Sequence, residues 1–168
     1  MRAQRVYLDT SVVGGCHDDE FAPWSRGLMD DFRSGIFHPV VSRIVTLEVE
    51  DAPTVVQETY ADLLRLGPDV LQVGDEETAL AGQYLERGIV SENYYDDAQH
   101  IALATVANVD VLTSWNFRHI VHFDKIRQFN AVNLEQGYKP IDIRSPREVT
   151  HHGESFGGES FGGDGQRN

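Results

Sequence analysis

Cysteine is almost missing from this chain: Cys16 is the only one among 168 residues. A single sulfur excludes an internal disulfide framework and a cysteine-based zinc site, since both need several. Cys16 is therefore read as a small neutral residue in a loop. Long apolar runs are missing too. Nothing approaches the roughly twenty apolar residues that a membrane span requires, and "MRAQRVYLD" returns to charge before a signal-peptide core can form. A cytoplasmic protein with no membrane partner is the expectation. Cations are scarce as well, with 14 Lys and Arg against 27 Asp and Glu and a formal charge of -13. That balance opposes passive binding of a polyanion. It suits a chain that concentrates carboxylates around a divalent metal.

What is present is enough for one domain: 40% of the residues are hydrophobic, spread over a length that supports one core. "QRVYL" reads as a buried strand, followed by a Gly-containing loop through Asp19. Pro23 opens a helix, "PWSRGLMDDFRSG", with Trp24, Leu28 and Phe32 on one face and Gly35 as its stop. "IFHPVV" is a second strand. Ser42 is placed as the N-cap of "RIVTLEVEDA", where Ile44, Leu47 and Asp51 share a helical spacing, and Thr54 as the cap of "VVQETYADLLRLG". "DVLQV" is a third strand, and Asp75 begins the helix "EETALAGQYLERG". After Ser91 the Ala-rich "YYDDAQHIALATVANV" repeats near the helical period. "VDVLTSW" is the clearest internal strand, "KIRQFNAVNLEQG" a last helix and "KPIDI" a last short strand.

Strands alternating with helices predict a three-layer α/β/α domain over residues 1–149 with a mostly parallel central sheet. Residues 150–168 repeat "GESFGG" and carry too little apolar surface to pack, so they read as a disordered acidic tail that leaves His151 and His152 solvated. Docking of Phe156 or Phe161 near the site, with Glu154 or Glu159 on a metal, is the autoinhibitory alternative to a dispensable extension.

In an open parallel sheet, ligands bind beyond the carboxyl ends of the strands where strand order reverses. Asp9 ends the first strand and Asn116 follows "VDVLTSW", so both project toward that crevice. Glu48 and Asp97 lie on helices beside apolar face positions. Taken singly, each has a bland reading: a turn or cap for Asp9, solvated helix acids for Glu48 and Asp97, and a helix N-cap for Asn116. Together they form an oxygen donor set suited to Mg2+ or Mn2+, and a cation removes the repulsion that gathered carboxylates would otherwise suffer. Such a metal supports phosphodiester hydrolysis by an activated water.

"YLDTSVVGG", "LEVE", "DAQHIALAT" and "VDVLTSWNFRHIV" resemble the four ordered motifs of the PIN domain. Together with "KIRQFNAVN" and "GYKPIDIRSP", the pattern is similar to VapC-like toxins from about Val6 to Glu148. The resemblance implies a metal-dependent ribonuclease with Asp9, Glu48 and Asp97 as its acids, and an antitoxin partner. It departs at the fourth acidic position, where many PIN domains carry Asp and this chain has Asn116, which removes one negative charge from the metal site.

Thr10 and Ser11 are expected to hydrogen-bond Asp9 or a metal-bound water, Thr113 and Ser114 to do so across the crevice, and Gly14-Gly15 to turn the chain away. Asp96 and Asp124 are lesser acidic candidates, and Asp110 belongs at the opposite end of its strand. His100, His119 and His122 are read as packing or hydrogen-bonding residues rather than zinc ligands. Arg118, Lys125 and Arg127 are RNA-contact candidates or a solvated face. A homodimer through the helices around residues 54–88 is expected from resemblance and pattern. Competing readings are a PIN-fold binding module that has lost efficient catalysis and a phosphatase with Asp9 as nucleophile. The phosphatase reading ranks low because Ser11 stands where a second acid is needed.

Overall fold

Each strand is short and leads into a helix, the connection that parallel pairing requires. In the computed structural model, which describes residues 2–152, five strands form one sheet in the order β3-β2-β1-β4-β5 with every pairing parallel. They are β1 (Gln4–Leu8), β2 (Phe37–Ser42), β3 (Asp69–Leu71), β4 (Val111–Thr113) and β5 (Ile143–Arg144). The helices are α1 (Thr10–Gly15), α2 (Ala22–Arg33), α3 (Arg43–Glu50), α4 (Thr54–Arg65), α5 (Asp75–Glu86), α6 (Tyr95–Val106), α7 (Phe123–Glu135) and α8 (Pro146–Val149), with a 3-10 turn at Glu92–Tyr94. The expected α/β architecture holds, and the sheet is parallel throughout.

Side-chain alternation in β1 builds the two cores. Val6 and Leu8 point to one face, against Val12, Leu28, Phe32, Tyr60 and Leu63 from α1, α2 and α4. Tyr7 points to the other face, against Leu80, Tyr84, Ile101 and Phe129 from α5, α6 and α7. The chain runs outward from β1 through β2 to β3, then returns to place β4 on the other side of β1. Strand order reverses there, so the crevice opens beyond Leu8 and Thr113.

Several local expectations are corrected. The segment after Asp9 is a helix rather than a loop. Asp9 is its N-cap, accepting from the Val12 N–H at 3.3 Å. Gly15 does not turn the chain; a Cβ there would lie 2.5 Å from Ser25 Oγ and 2.7 Å from Trp115 Nε1, so the absent side chain admits close packing. Ser42 stands at the start of α3, but its hydroxyl meets Tyr7 Oη at 2.8 Å instead of capping the helix. Pro53, rather than Thr54, occupies the cap position of α4. Leu47 faces outward, because α3 buries Ile44, Val45 and Val49.

The segment from Thr150 to His152, assigned by sequence to the tail, is packed. Asp31, fully buried on α2, accepts from Thr150 Oγ1 at 2.7 Å and from the His151 N–H at 3.1 Å, and meets His152 Nδ1 at 2.6 Å. His152 is therefore hydrogen-bonded rather than simply solvated. Phe156, Phe161, Glu154 and Glu159 lie outside the described residues.

Candidate functional site

Beyond the ends of β1 and β4, two serines hold Asp9. Ser11 donates to Asp9 Oδ1 and Ser114 to Oδ2, both at 2.6 Å. Each serine is fixed in turn, because Ser11 Oγ accepts from the Trp115 N–H and Ser114 Oγ from the Asn116 N–H, both at 2.9 Å. The carboxylate is buried, and burial pushes its pKa above the ordinary value, against the His100 charge and the hydrogen bonds of Ser11, Ser114 and Val12.

The other hydroxyls serve different partners. Thr10 donates to Glu48 Oε1 at 2.7 Å, not to Asp9. Thr113 donates to the Tyr7 carbonyl at 2.9 Å, tying β4 to β1 behind the site.

His100 is the residue that sequence reasoning underweighted. It is buried on α6, with Nε2 at 2.9 Å from Glu48 Oε1 and Nδ1 at 2.7 Å from Tyr7 Oη. Burial lowers its pKa, but the Glu48 hydrogen bond and the charges of Asp9, Glu48 and Asp97 raise it further, for a net rise. Burial likewise pushes Glu48 up, and the hydrogen bond and charge of His100, with the Thr10 hydroxyl, bring it below the ordinary value. The available signal was spacing: His100 lies three residues after Asp97, on the same helix face.

Asp97 is raised to about 6, first by burial and then by the charges of Asp9 and Glu48, against the His100 charge and the Asn116 hydrogen bond. Asn116 Nδ2 donates to Asp97 Oδ2 at 3.3 Å. Asn116 Oδ1 accepts from the Arg118 and His119 N–H groups at 3.2 and 2.9 Å, which makes it a cap for the turn after β4. The fourth position thus presents a donor to the acids and turns its oxygen away.

The remaining candidates stand apart. Asp96 and Asp124 are exposed, and Asp110 accepts from the Arg5 N–H at the opposite edge of the sheet. Lys125 Nζ is held by the Ile89 carbonyl at 2.5 Å, whereas Arg118 and Arg127 are exposed.

Among the described residues, no three Asp, Glu, His or Cys side chains stand together closely enough to ligate one ion. The donor chemistry nonetheless fits a hard divalent cation. Burial first, and then the charges of Asp9 and Glu48, raise Asp97 to about 6, and Mg2+ commonly takes only one or two carboxylates directly and keeps its waters.

A five-stranded parallel sheet with acids gathered at its switch point makes this an α/β domain with an acidic site. No family model and no curated protein matches the sequence. Among solved structures, a chain of VapBC2 from Rickettsia felis, bound to a DNA fragment from their promoter, is 12% identical with a TM-score of 0.54, covering 84% of this chain and 98% of its own. A chain of VapBC-1 from nontypeable Haemophilus influenzae is 14% identical with a TM-score of 0.53, covering 85% of this chain and 98% of its own. The chain shares its PIN-like α/β fold with these chains of VapBC assemblies.

Proposed function

We propose that the chain is a divalent-metal-dependent endoribonuclease, the cytoplasmic toxin of a VapC-like toxin-antitoxin pair, with a protein antitoxin as partner. The observation that carries this reading is the gathering of Asp9, Glu48 and Asp97 beyond β1 and β4, where burial first, and then the charges of Asp9 and Glu48, raise Asp97 to about 6. A fold needs no such cluster, and a cation relieves its repulsion.

Asp9, Asp97 and Glu48 are the residues that would hold Mg2+ or Mn2+. Bound there, the ion supplies water activation and charge stabilisation for phosphodiester hydrolysis. Ser11 and Ser114 keep the Asp9 carboxylate in one orientation, so that reacting groups are positioned without reorganisation. His100 and Thr10 hold Glu48 toward the same crevice. No helix among the described residues is long and apolar enough to cross a membrane.

One observation favours a second reading, a PIN-fold module with weakened catalysis: Asn116 commits its side-chain oxygen to backbone donors. Cleavage of structured RNA by the purified full chain with Mg2+ or Mn2+, beside Asp9→Asn and Asn116→Asp, separates the two. Metal-dependent cleavage that Asp9→Asn abolishes supports the nuclease. Cleavage by Asn116→Asp alone supports the binding module, and no cleavage by any of the three refutes the nuclease.

A further inference from the structure

Tyr7 is among the largest fully buried side chains of the molecule, yet its hydroxyl belongs to a chain of hydrogen bonds that ends at an acid of the site. Ser42 Oγ meets Tyr7 Oη at 2.8 Å, Tyr7 Oη meets His100 Nδ1 at 2.7 Å, and His100 Nε2 meets Glu48 Oε1 at 2.9 Å. Ser42, Tyr7 and His100 are buried, so water does not stand in for the inner partners. The bonds cross four elements, from the end of β2 through β1 and α6 to α3. A core has no need of them, because Phe and Leu would fill the same space without polar groups to satisfy.

Glu48 gives the chain a direction. A carboxylate only accepts, so His100 Nε2 carries a proton whether the imidazole is neutral or charged. Tyr7 completes either state, as donor to a bare Nδ1 or as acceptor of its proton, with Ser42 taking the opposite part. The two rings also meet edge to face, with centroids 5.8 Å apart at 64°, which opposes rotation of the imidazole. Thr10 donates to the same Glu48 oxygen, Oε1, at 2.7 Å. Oε1 is thus occupied twice, whereas Oε2 accepts no hydrogen bond from the described residues and the Glu48 side chain is 35% exposed. The helix that carries Asp97 therefore also decides which oxygen of Glu48 stays free.

We propose that Tyr7 is a positioning residue of the acidic site: through His100 it holds Glu48 Oε1 and leaves Oε2 as the oxygen offered to a divalent cation. The proposal rests on the metal-dependent reading, and adds to it two core residues, Tyr7 and Ser42, that touch neither ion nor substrate.

Calorimetric titration of the metal-free full chain with Mn2+ reads the positioning without cleavage. Tyr7→Phe is expected to bind about threefold more weakly than the natural chain and His100→Leu about tenfold more weakly. His100→Gln should recover most of that loss, since its amide offers an acceptor to Tyr7 and an N–H to Glu48. Residues that only filled the core would give another order, with Phe and Leu tolerated at least as well as Gln. Nitrogen-15 NMR of the imidazoles supplies a second signature: the His100 Nε2 proton should be protected from exchange in the natural chain and lose protection in Tyr7→Phe. Should His100→Leu fail to fold, Tyr7→Phe carries the test, because it removes a single oxygen. The positioning is overturned if Tyr7→Phe binds Mn2+ as the natural chain does, if His100→Gln binds no better than a folded His100→Leu, or if the Nε2 proton exchanges equally fast with and without the Tyr7 hydroxyl. Mn2+ binding and RNA cleavage by the natural chain, beside unaffected variants, remove the positioning alone. The expected order of Mn2+ affinities without any RNA cleavage removes the nuclease alone, and a natural chain that binds no Mn2+ overturns both.

Discussion

Replacing Asp97 by Asn is expected to make the metal-free protein more stable at neutral pH. Asp97 titrates at about 6 against an ordinary 3.8, because burial and the charges of Asp9 and Glu48 oppose its ionisation. At about 1.4 kcal/mol per pH unit, that difference corresponds to roughly 3 kcal/mol for holding the ionised form in the fold. Asp97 is only half-buried, and solvent screening reduces the expected gain to about 1–2 kcal/mol. Asn preserves the shape and still accepts from Asn116 Nδ2. The sign follows from the raised pKa: the folded state binds the proton more tightly than the unfolded chain, so the Asp97 contribution is fully favourable below about pH 4 and is lost as pH rises through 6. The difference between variant and natural chain should therefore be near zero at pH 4, grow up to pH 6 and level off above it. Urea denaturation in EDTA at several pH values measures it. Mg2+ should then stabilise the natural chain and leave Asp97→Asn unmoved. A variant that is less stable than the natural chain at pH 7.5 without metal would refute the reasoning.

Two further substitutions test the packing around the site. Gly15→Ala should destabilise by about 1–3 kcal/mol, since its Cβ meets Ser25 and Trp115 at 2.5 and 2.7 Å. Gly14→Ala has nothing within 4 Å and should gain up to about 1 kcal/mol of helix propensity. Thermal melts of the pair check both signs, and equal effects would show that Trp115 does not need the close approach. Asp31→Ala removes a buried acceptor shared by the Thr150 hydroxyl, the His151 N–H and the His152 ring, which should lower stability by about 1–3 kcal/mol. An unchanged urea midpoint would show that this C-terminal latch contributes nothing.

Local period and spacing made much of this fold legible. Alternation in "QRVYL" divides the two cores, and Asp9 at the end of that strand falls at the switch point because strand order reverses between β1 and β4. What stayed hidden depends on distant contacts. Paired glycines argue against a helix, yet α1 forms because Asp9 caps it and Trp115, a hundred residues later, needs the space beside Gly15. Thr150 and His152 look like tail, and only the buried Asp31 on α2 accounts for their order. Leu47 satisfies a helical period and still faces outward, since α3 is short and packs through Val45 and Val49 instead.

The site itself was legible as a set of residues but not as a set of bonds. Asp9, Glu48 and Asp97 are singled out by their places at a strand end and on helix faces together with the resemblance of the motifs around them. Their partners depend on how helices and strands meet, and that meeting recruits His100 between Glu48 and Tyr7 and turns the Asn116 oxygen toward its own turn. An aspartate at the fourth position would add a charge beside Asp97, whereas Asn116 offers it a hydrogen bond. His100 is buried, and the Glu48 hydrogen bond and the charges of Asp9, Glu48 and Asp97 raise its pKa against the effect of that burial. With Asn rather than Asp at the fourth position the crevice carries one negative charge fewer, and for the proposed metal-dependent activity that favours one water-rich cation over a pair of ions.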